Sequence, residues 1–167
     1  LMMVVAILGI LAVIAIPRYI SYVYRSKTAE AVGFLADIKS HQESYRADFG
    51  QYCDVSQTPE AWWPTSTPND KPDTWLDTGT IGQRWLQLGS VPPGRQVLFR
   101  YVTVAGLPGT SNTPDQRGFT SALGYTGSDF WFVSRAKGDL DADGTTVIFE
   151  SYSHGQGLYI DKAAGWE

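Results

Sequence analysis

The sequence predicts an α+β protein, in which one long N-terminal helix packs against a C-terminal antiparallel sheet of about four strands. Three observations predict it. The first sixteen residues are all apolar, helical spacing continues from there to about Phe49, and four segments rich in β-branched and aromatic residues follow residue 96. With 167 residues, of which 43% are apolar, the chain is long enough for one globular unit.

The apolar run 1–16 would extend about 24 Å as a helix. A helix that crosses a bilayer needs roughly 20 residues, so this run is slightly short. A signal peptide would end in a small-residue cleavage site, whereas this run continues into Pro17 and Arg18. A buried core helix would need to be surrounded by the rest of a small protein. The run therefore favours a membrane-inserting segment, and we expect a few residues to precede it.

An amphipathic helix continues beyond Pro17. Gly50 is placed to end it in a left-handed conformation near Phe49. The whole helix would be about 75 Å long, so half of it must protrude from a small domain. We expect residues 1–27 to form the protruding apolar helix and residues 28–167 the globular head. The apolar stripe comprises Ala31, Leu35, Ile38, Tyr45, Phe49 and Tyr52, and the polar face comprises Glu30, Asp37, His41, Ser44 and Asp48.

Gly9 and Pro17 interrupt the protruding half. Glycine costs about 1 kcal/mol relative to alanine in a helix, and proline about 3 kcal/mol. The sequence therefore predicts a helix that is weakened or melted between these two residues. An exposed apolar helix can leave water by entering lipid or by packing against copies of itself, which describes a subunit stored in a membrane and assembled into a fibre.

The segment LMMVVAILGILAVIAIP, followed by a long amphipathic helix, resembles the N-terminus of type IV pilins. The resemblance implies a basic leader, removal of that leader by a dedicated peptidase, and storage in the inner membrane. It also implies an N-methylated phenylalanine and a glutamate before the stretch that matches Leu1, so we expect about five residues to precede Leu1. The implied partners are identical subunits in a homopolymer and the pilus assembly machinery. The implied filament core comprises Leu1, Met2, Val5, Leu8, Gly9, Leu11, Ala12, Ile14, Ile16 and Pro17.

Three basic residues, Arg18, Arg25 and Lys27, follow the apolar run directly. By the positive-inside tendency they would hold the head in the cytoplasm, which opposes the topology of a pilin. A basic leader in front of the helix would reverse that bias.

Residues 53–96 correspond to the αβ loop of the family. They contain six prolines and four glycines, so no long element fits, although a helical turn near 81–88 is expected. The four tryptophans of this loop predict either packing against the helix and sheet or an exposed adhesive patch. These are Trp62, Trp63, Trp75 and Trp85.

Strand signals cover residues 97–105, 128–136, 145–152 and 157–161. Short turns at 137–144 and 153–156 join the last three, which predicts an antiparallel meander. The polar segment 106–127 is expected to be a surface loop.

Asp139, Asp141 and Asp143 form a DxDxDG sequence that is typical of calcium loops, with Glu150 at the twelfth position. The flanks are predicted strands, so Glu150 would lie roughly 20 Å from the turn and is excluded as a ligand. The predicted Ca²⁺ ligands are the three aspartates and the carbonyl of Thr145, with water. The alternative is an acidic hairpin turn without a cation.

Composition argues against several other functions. The net charge of −4 lacks the basic excess of a nucleic-acid-binding protein. The single cysteine, Cys53, excludes an intrachain disulfide and is expected to pack in the core. His41 and His154 belong to no nucleophile motif and are expected to be solvated, so an enzyme is not predicted.

The leading hypothesis is a structural subunit of an extracellular type IV pilus that supports adhesion or motility. A minor pilin or a pseudopilin of type II secretion is the alternative. An electron-conducting filament, which would use the aromatic residues of the helix, and a single-span anchored binding domain rank lower.

Overall fold

The computed structural model describes residues 2–109, 128–155 and 157–160. Leu1, residue 161 of the predicted last strand and most of the loop 106–127 lie outside the described residues. The elements in chain order are α1 (Met2–Phe49), β1 (Asp73–Thr74), α2 (Gly79–Leu88), a 3₁₀ turn (Pro93–Arg95), β2 (Gln96–Val97), β3 (Arg100–Gly106), β4 (Trp131–Gly138), β5 (Val147–Tyr152) and β6 (Leu158–Ile160).

The N-terminal helix α1 is the longest element, with 48 residues. It ends at Gly50, whose φ of 74° is the left-handed conformation that glycine tolerates best, and the Gly50 amide donates to the Arg46 carbonyl at 2.8 Å. The predicted end of the helix is confirmed. The structure does not show the predicted melting, because α1 is helical throughout Gly9 and Pro17. Proline removes only one backbone hydrogen bond, and the turns on either side keep theirs.

The predicted four-stranded antiparallel meander is confirmed, with the strand order β3-β4-β5-β6. A separate two-stranded ribbon pairs β1 with β2. The helical turn expected near 81–88 is the ten-residue helix α2. α1 packs against β4 and β5, so the sheet lies over the second half of the helix.

The strand predicted at 97–105 is interrupted, which corrects its start. The amides of Leu98 and Phe99 donate to the carboxylate of Glu30 at 2.9 Å and 3.3 Å, instead of to a neighbouring strand. β3 therefore begins only at Arg100. Glu30 itself was expected on the polar face, and that expectation is wrong, because its half-buried carboxylate points to the sheet.

The sheet has two buried faces. Its inner face meets α1 through Tyr101, Ala136 and Phe149, which lie side by side across three strands. Side chains alternate along a strand, so their neighbours face outward. On that outer face, Val104, Val133 and Tyr152 are paired in the same way and are also buried.

The inner core is filled from the αβ loop. Trp75 and Trp85 are almost fully buried and pack edge to face against each other, with ring centroids 5.2 Å apart. Phe34 of α1 lies 5.5 Å from Trp75 and 4.7 Å from Tyr101, also edge to face. The packing interpretation is therefore confirmed for these two tryptophans. Trp62 is half-buried and packs against the outer face instead.

The predicted apolar stripe is correct where the helix contacts the sheet. Ala31, Leu35 and Ile38 are completely buried. Phe49 is 64% exposed, so its predicted place in the core is wrong. It instead stacks on Tyr45, at a centroid distance of 4.4 Å, on the surface of the last helical turns.

A buried glutamine ties the end of α1 to the chain that leaves it. The Gln42 side chain donates to the Cys53 carbonyl and accepts from the Cys53 amide, both at 2.8 Å. This pair of bonds reproduces what a neighbouring strand would offer Cys53. Gln42 is completely buried, so both backbone groups depend on it.

We expect Gln42→Ala to lower the free energy of unfolding by about 2–4 kcal/mol, because it leaves a buried amide and a buried carbonyl without partners. Urea unfolding of the full chain in detergent micelles measures the change. Ser44→Ala, on the exposed side of the same helix, is the control and should change stability by less than about 0.5 kcal/mol. Equal effects of the two substitutions would refute the role of Gln42.

Cys53 is buried, as predicted, and burial raises the pKa of its thiol to about 11 from an ordinary value of 9.0. The thiolate is the reactive form, so we expect folded chain at pH 8 to react roughly a hundredfold more slowly with iodoacetamide than unfolded chain. Labelling rates with and without urea, beside a peptide of the same local sequence, provide the measurement. Similar rates in both states would mean that the thiol is accessible.

Candidate assembly helix and acidic turn

The first part of α1 is an apolar surface. All large apolar side chains from Met2 to Ile16 are between 56% and 90% exposed. By length and composition this helix could cross a membrane, and none of its most apolar 18-residue window is buried. An uncovered apolar surface of this size marks a contact with lipid or with protein.

Except for Leu1, which lies outside the described residues, every residue predicted for the filament core is exposed on this surface. A Cβ atom placed on Gly9 would meet nothing within 4 Å. The single chain therefore leaves these positions open to partners. It does not by itself show which of them face a partner.

The helix joins the head gradually. Thr28 is the first buried residue described on α1, and its hydroxyl donates to the Arg25 carbonyl at 2.7 Å. The basic residues that oppose the pilin topology lie just before it. Arg18 and Arg25 are exposed, and the Lys27 ammonium lies 5.7 Å from the centre of the Tyr24 ring.

Glu30 anchors the helix to the sheet, two residues after this junction. Its carboxylate accepts from the amides of Leu98 and Phe99, and the Tyr101 hydroxyl donates to it at 3.2 Å. Burial raises the pKa of Glu30, and these hydrogen bonds together with the positive charge of Arg100 partly offset that rise. Three donors from one strand region thus meet a single side chain of the long helix.

The structural roles of Glu30 and Gln42 were not predicted from the sequence, although their spacing contained a signal. Gln42 continues the apolar stripe four residues after Ile38, and Glu30 lies one turn before Phe34. A polar residue on an apolar stripe indicates a buried partner, because its hydrogen bonds must be satisfied inside the protein.

The acidic turn lies between β4 and β5. One carboxylate oxygen from each of Asp139, Asp141 and Asp143 lies within 4.8 Å of the others. Asp139 is only 5% exposed and Leu140 beside it belongs to the core, whereas Asp141 and Asp143 are exposed. The predicted aspartates are thus brought together at one end of the sheet.

Backbone amides hold the turn in shape. Gly144 donates to Oδ2 of Asp139 at 3.0 Å, and Thr145 donates to Oδ1 of Asp143 at 2.6 Å. The strand predicted from residue 145 consequently begins at Val147. The other carboxylate oxygen of Asp139, Oδ1, is buried and has no hydrogen-bond partner among the residues that the structure describes.

Glu150 does not take part in this cluster. It lies in β5 on the outer face of the sheet, and its Oε1 is 3.1 Å from Nε of Arg135, which occupies the opposite position on β4. The Tyr152 hydroxyl also donates to its carboxylate. Both members of the ion pair are buried, so Glu150 serves the sheet.

The two histidines lie near carboxylates. Nε2 of His41 is 3.5 Å from Asp37, one turn earlier on α1. His154 contacts the Ser153 hydroxyl at 2.8 Å and lies 3.9 Å from Asp129, an approximation to a Ser-His-Asp arrangement that the sequence did not indicate.

The contacts of Ser153 and Asp129 do not resemble those of a catalytic group. The Ser153 hydroxyl accepts from the Phe132 amide at 3.2 Å, and the Asp129 carboxylate receives two hydrogen bonds from Arg46 at 2.9 Å and 3.0 Å. The first contact ties the turn after β5 to β4. The second ties the segment just before β4 to α1. They fix the local structure.

Comparison with known proteins gives a short match. A segment of 56 residues is 46% identical to the type IV major pilin protein PilA of Myxococcus xanthus strain DK1622. Over this segment the chain is homologous to a type IV major pilin. The match covers 34% of this chain and 26% of that pilin, so the chain matches about a quarter of the length of its relative. The long exposed apolar helix also fits a pilin.

No protein-family model matches the chain, and no solved structure matches it at a significant level. The similarity to a type IV pilin therefore rests on this short match and on the long apolar helix.

The raised pKa of Glu30 predicts a pH dependence. A carboxyl group whose pKa is higher in the folded state stabilises the fold below its unfolded value, near 4.5, and this contribution is lost as the pH rises through the folded pKa. We therefore expect the unfolding temperature of the wild-type chain to fall relative to that of Glu30→Gln as the pH rises from 4.5.

Thermal unfolding of both chains in detergent between about pH 4 and 7 measures this difference. Gln carries no charge in this range, so the difference between the two curves isolates Glu30. A difference that does not change with pH would contradict the prediction.

Proposed function

We propose that the chain is a structural subunit of an extracellular type IV pilus. It assembles into a homopolymer by packing the exposed part of α1 against the same helix of other subunits. One observation carries the proposal: an apolar helix surface, exposed to solvent in the single chain, continues as one helix into a folded head. The short homology to a major pilin supports it.

The division of labour within the chain follows. Residues 1–27 serve first as the anchor in the inner membrane and then as the filament core, and residues 28–167 form the head on the filament surface. Before assembly the acyl chains of the bilayer cover the apolar helix, and afterwards neighbouring helices do. Because both surroundings are apolar, the transfer between them leaves little apolar surface in water.

The same proposal includes removal of the leader, N-methylation, the pilus assembly machinery, and adhesion or motility. They rest on the resemblance to type IV pilins. Contacts outside the filament would use the exposed surface of the head.

Substitution of Ala12 separates assembly from membrane insertion. Small residues allow helices to approach closely in an apolar environment, so Ala12→Phe should prevent tight packing while leaving the helix as apolar as before. We expect the variant to accumulate in the membrane and to reduce the yield of filaments at least tenfold. Electron microscopy of sheared filaments and immunoblots of membrane fractions provide the two readouts.

Leu76→Phe, an exposed apolar position on the head, is the matched control and should assemble like the wild type. Normal filament yield from Ala12→Phe would argue against close packing at this position. A wild-type chain that remains monomeric after its leader is removed would instead support a single-span anchored domain and refute the pilus proposal.

A further inference from the structure

The acidic turn between β4 and β5 contains a buried carboxylate that the protein does not fully satisfy. Asp139 is only 5% exposed, and its Oδ1 has no hydrogen-bond partner among the described residues. A buried carboxyl oxygen without a partner is costly, because it has lost its hydrogen bonds to water without forming others. Such an atom indicates that a cation or a hydrogen-bond donor belongs beside it.

The neighbouring acids determine the nature of that partner. One oxygen each of Asp139, Asp141 and Asp143 lies within 4.8 Å of the others. Two oxygens bound to a single Ca²⁺ ion lie at most about 5 Å apart, since each Ca–O distance is about 2.3–2.6 Å. The three oxygens therefore already have the separation that one cation requires, and three carboxylates in so small a volume repel one another without it.

The hydrogen bonds of the turn leave oxygens available. Asp139 uses Oδ2 for the Gly144 amide, and Asp143 uses Oδ1 for the Thr145 amide. Each of these carboxylates retains its second oxygen for a ligand bond. Asp141 is exposed, and among the described residues its carboxylate accepts a long bond from the Asp143 amide, at 3.4 Å, so it is also available.

We propose that this turn binds one Ca²⁺ ion through Asp139, Asp141 and Asp143, with the Thr145 carbonyl and water completing the shell. An irregular set of hard oxygen ligands suits Ca²⁺ better than Mg²⁺, which demands a smaller and more regular shell. Glu150 is excluded as a ligand, because it is paired with Arg135 on the outer face of the sheet.

The ion would fix the β4–β5 hairpin to the core. Leu140, between the first two ligands, is buried with Phe99 and Val147 in the inner core. Binding at the turn therefore holds the end of both central strands. The affinity expected for extracellular modules is about 10⁻⁴–10⁻³ M, a range that rests on the proposed extracellular location.

Titration with Ca²⁺ alone tests the proposal on the full chain in detergent after treatment with a chelator. Calorimetry should show one saturable site. Asp141→Asn and Asp143→Asn keep the size and the hydrogen-bond acceptor of the side chain, so they remove charge without breaking the turn. We expect each to weaken binding at least tenfold, whereas Asp70→Asn, an exposed acid of the αβ loop, should bind like the wild type.

Thermal unfolding provides a second readout. With chelator present, Asp141→Asn should unfold at the same temperature as the wild type or higher, because it relieves repulsion. With millimolar Ca²⁺, only the wild type should gain stability, which reverses the order. If the turn needs no cation, the order of the two unfolding temperatures will not reverse.

The proposal is overturned by an absence of saturable Ca²⁺ binding up to about 10 mM, a concentration above the expected range. Wild-type affinity in Asp141→Asn or an equal stabilisation by Mg²⁺ would overturn it too. Because these measurements use detergent-dispersed single chains, their outcome is independent of whether the chain forms filaments.

Discussion

The structure depends on how firmly one helix is held at its middle. α1 packs into the head for only part of its length, and the apolar side chains of its first part are exposed. Glu30 provides the first polar attachment, where three donors from residues 98–101 converge on one carboxylate. This attachment fixes the point at which α1 meets the segment before β3.

The second attachment has a different physical character. Gln42 is neutral and fully buried, and it pairs with both backbone groups of Cys53. Between the two attachments, Phe34, Leu35 and Ile38 fill the space against the sheet and the tryptophans of the loop. Apolar packing supplies most of the stabilisation, whereas the two polar groups fix the register of the helix, because hydrogen bonds are directional and apolar contacts are not.

Local patterns predicted most of the fold. Spacing alone placed Ala31, Leu35 and Ile38 in the core, and residue composition located all four strands of the meander. The acidic turn was also predictable, because its three aspartates lie within five consecutive residues. Partners distant in sequence could not be found this way. Glu30 meets amides that are 68 and 69 residues away, and a rule that places polar residues in water assigned it to the wrong face.

The prediction that Phe49 is buried failed for the opposite reason. The apolar periodicity continues to the end of the helix, even where no sheet remains to cover it. The arrangement of Glu30 and Gln42 has a mechanical consequence. They lie on the same helix about 18 Å apart, and both bind to the head. A pull along the axis of α1 therefore loads these two attachments in parallel, together with the Arg46–Asp129 ion pair near the end of the helix. Tension along the helix would therefore be shared among these attachments instead of falling on one of them.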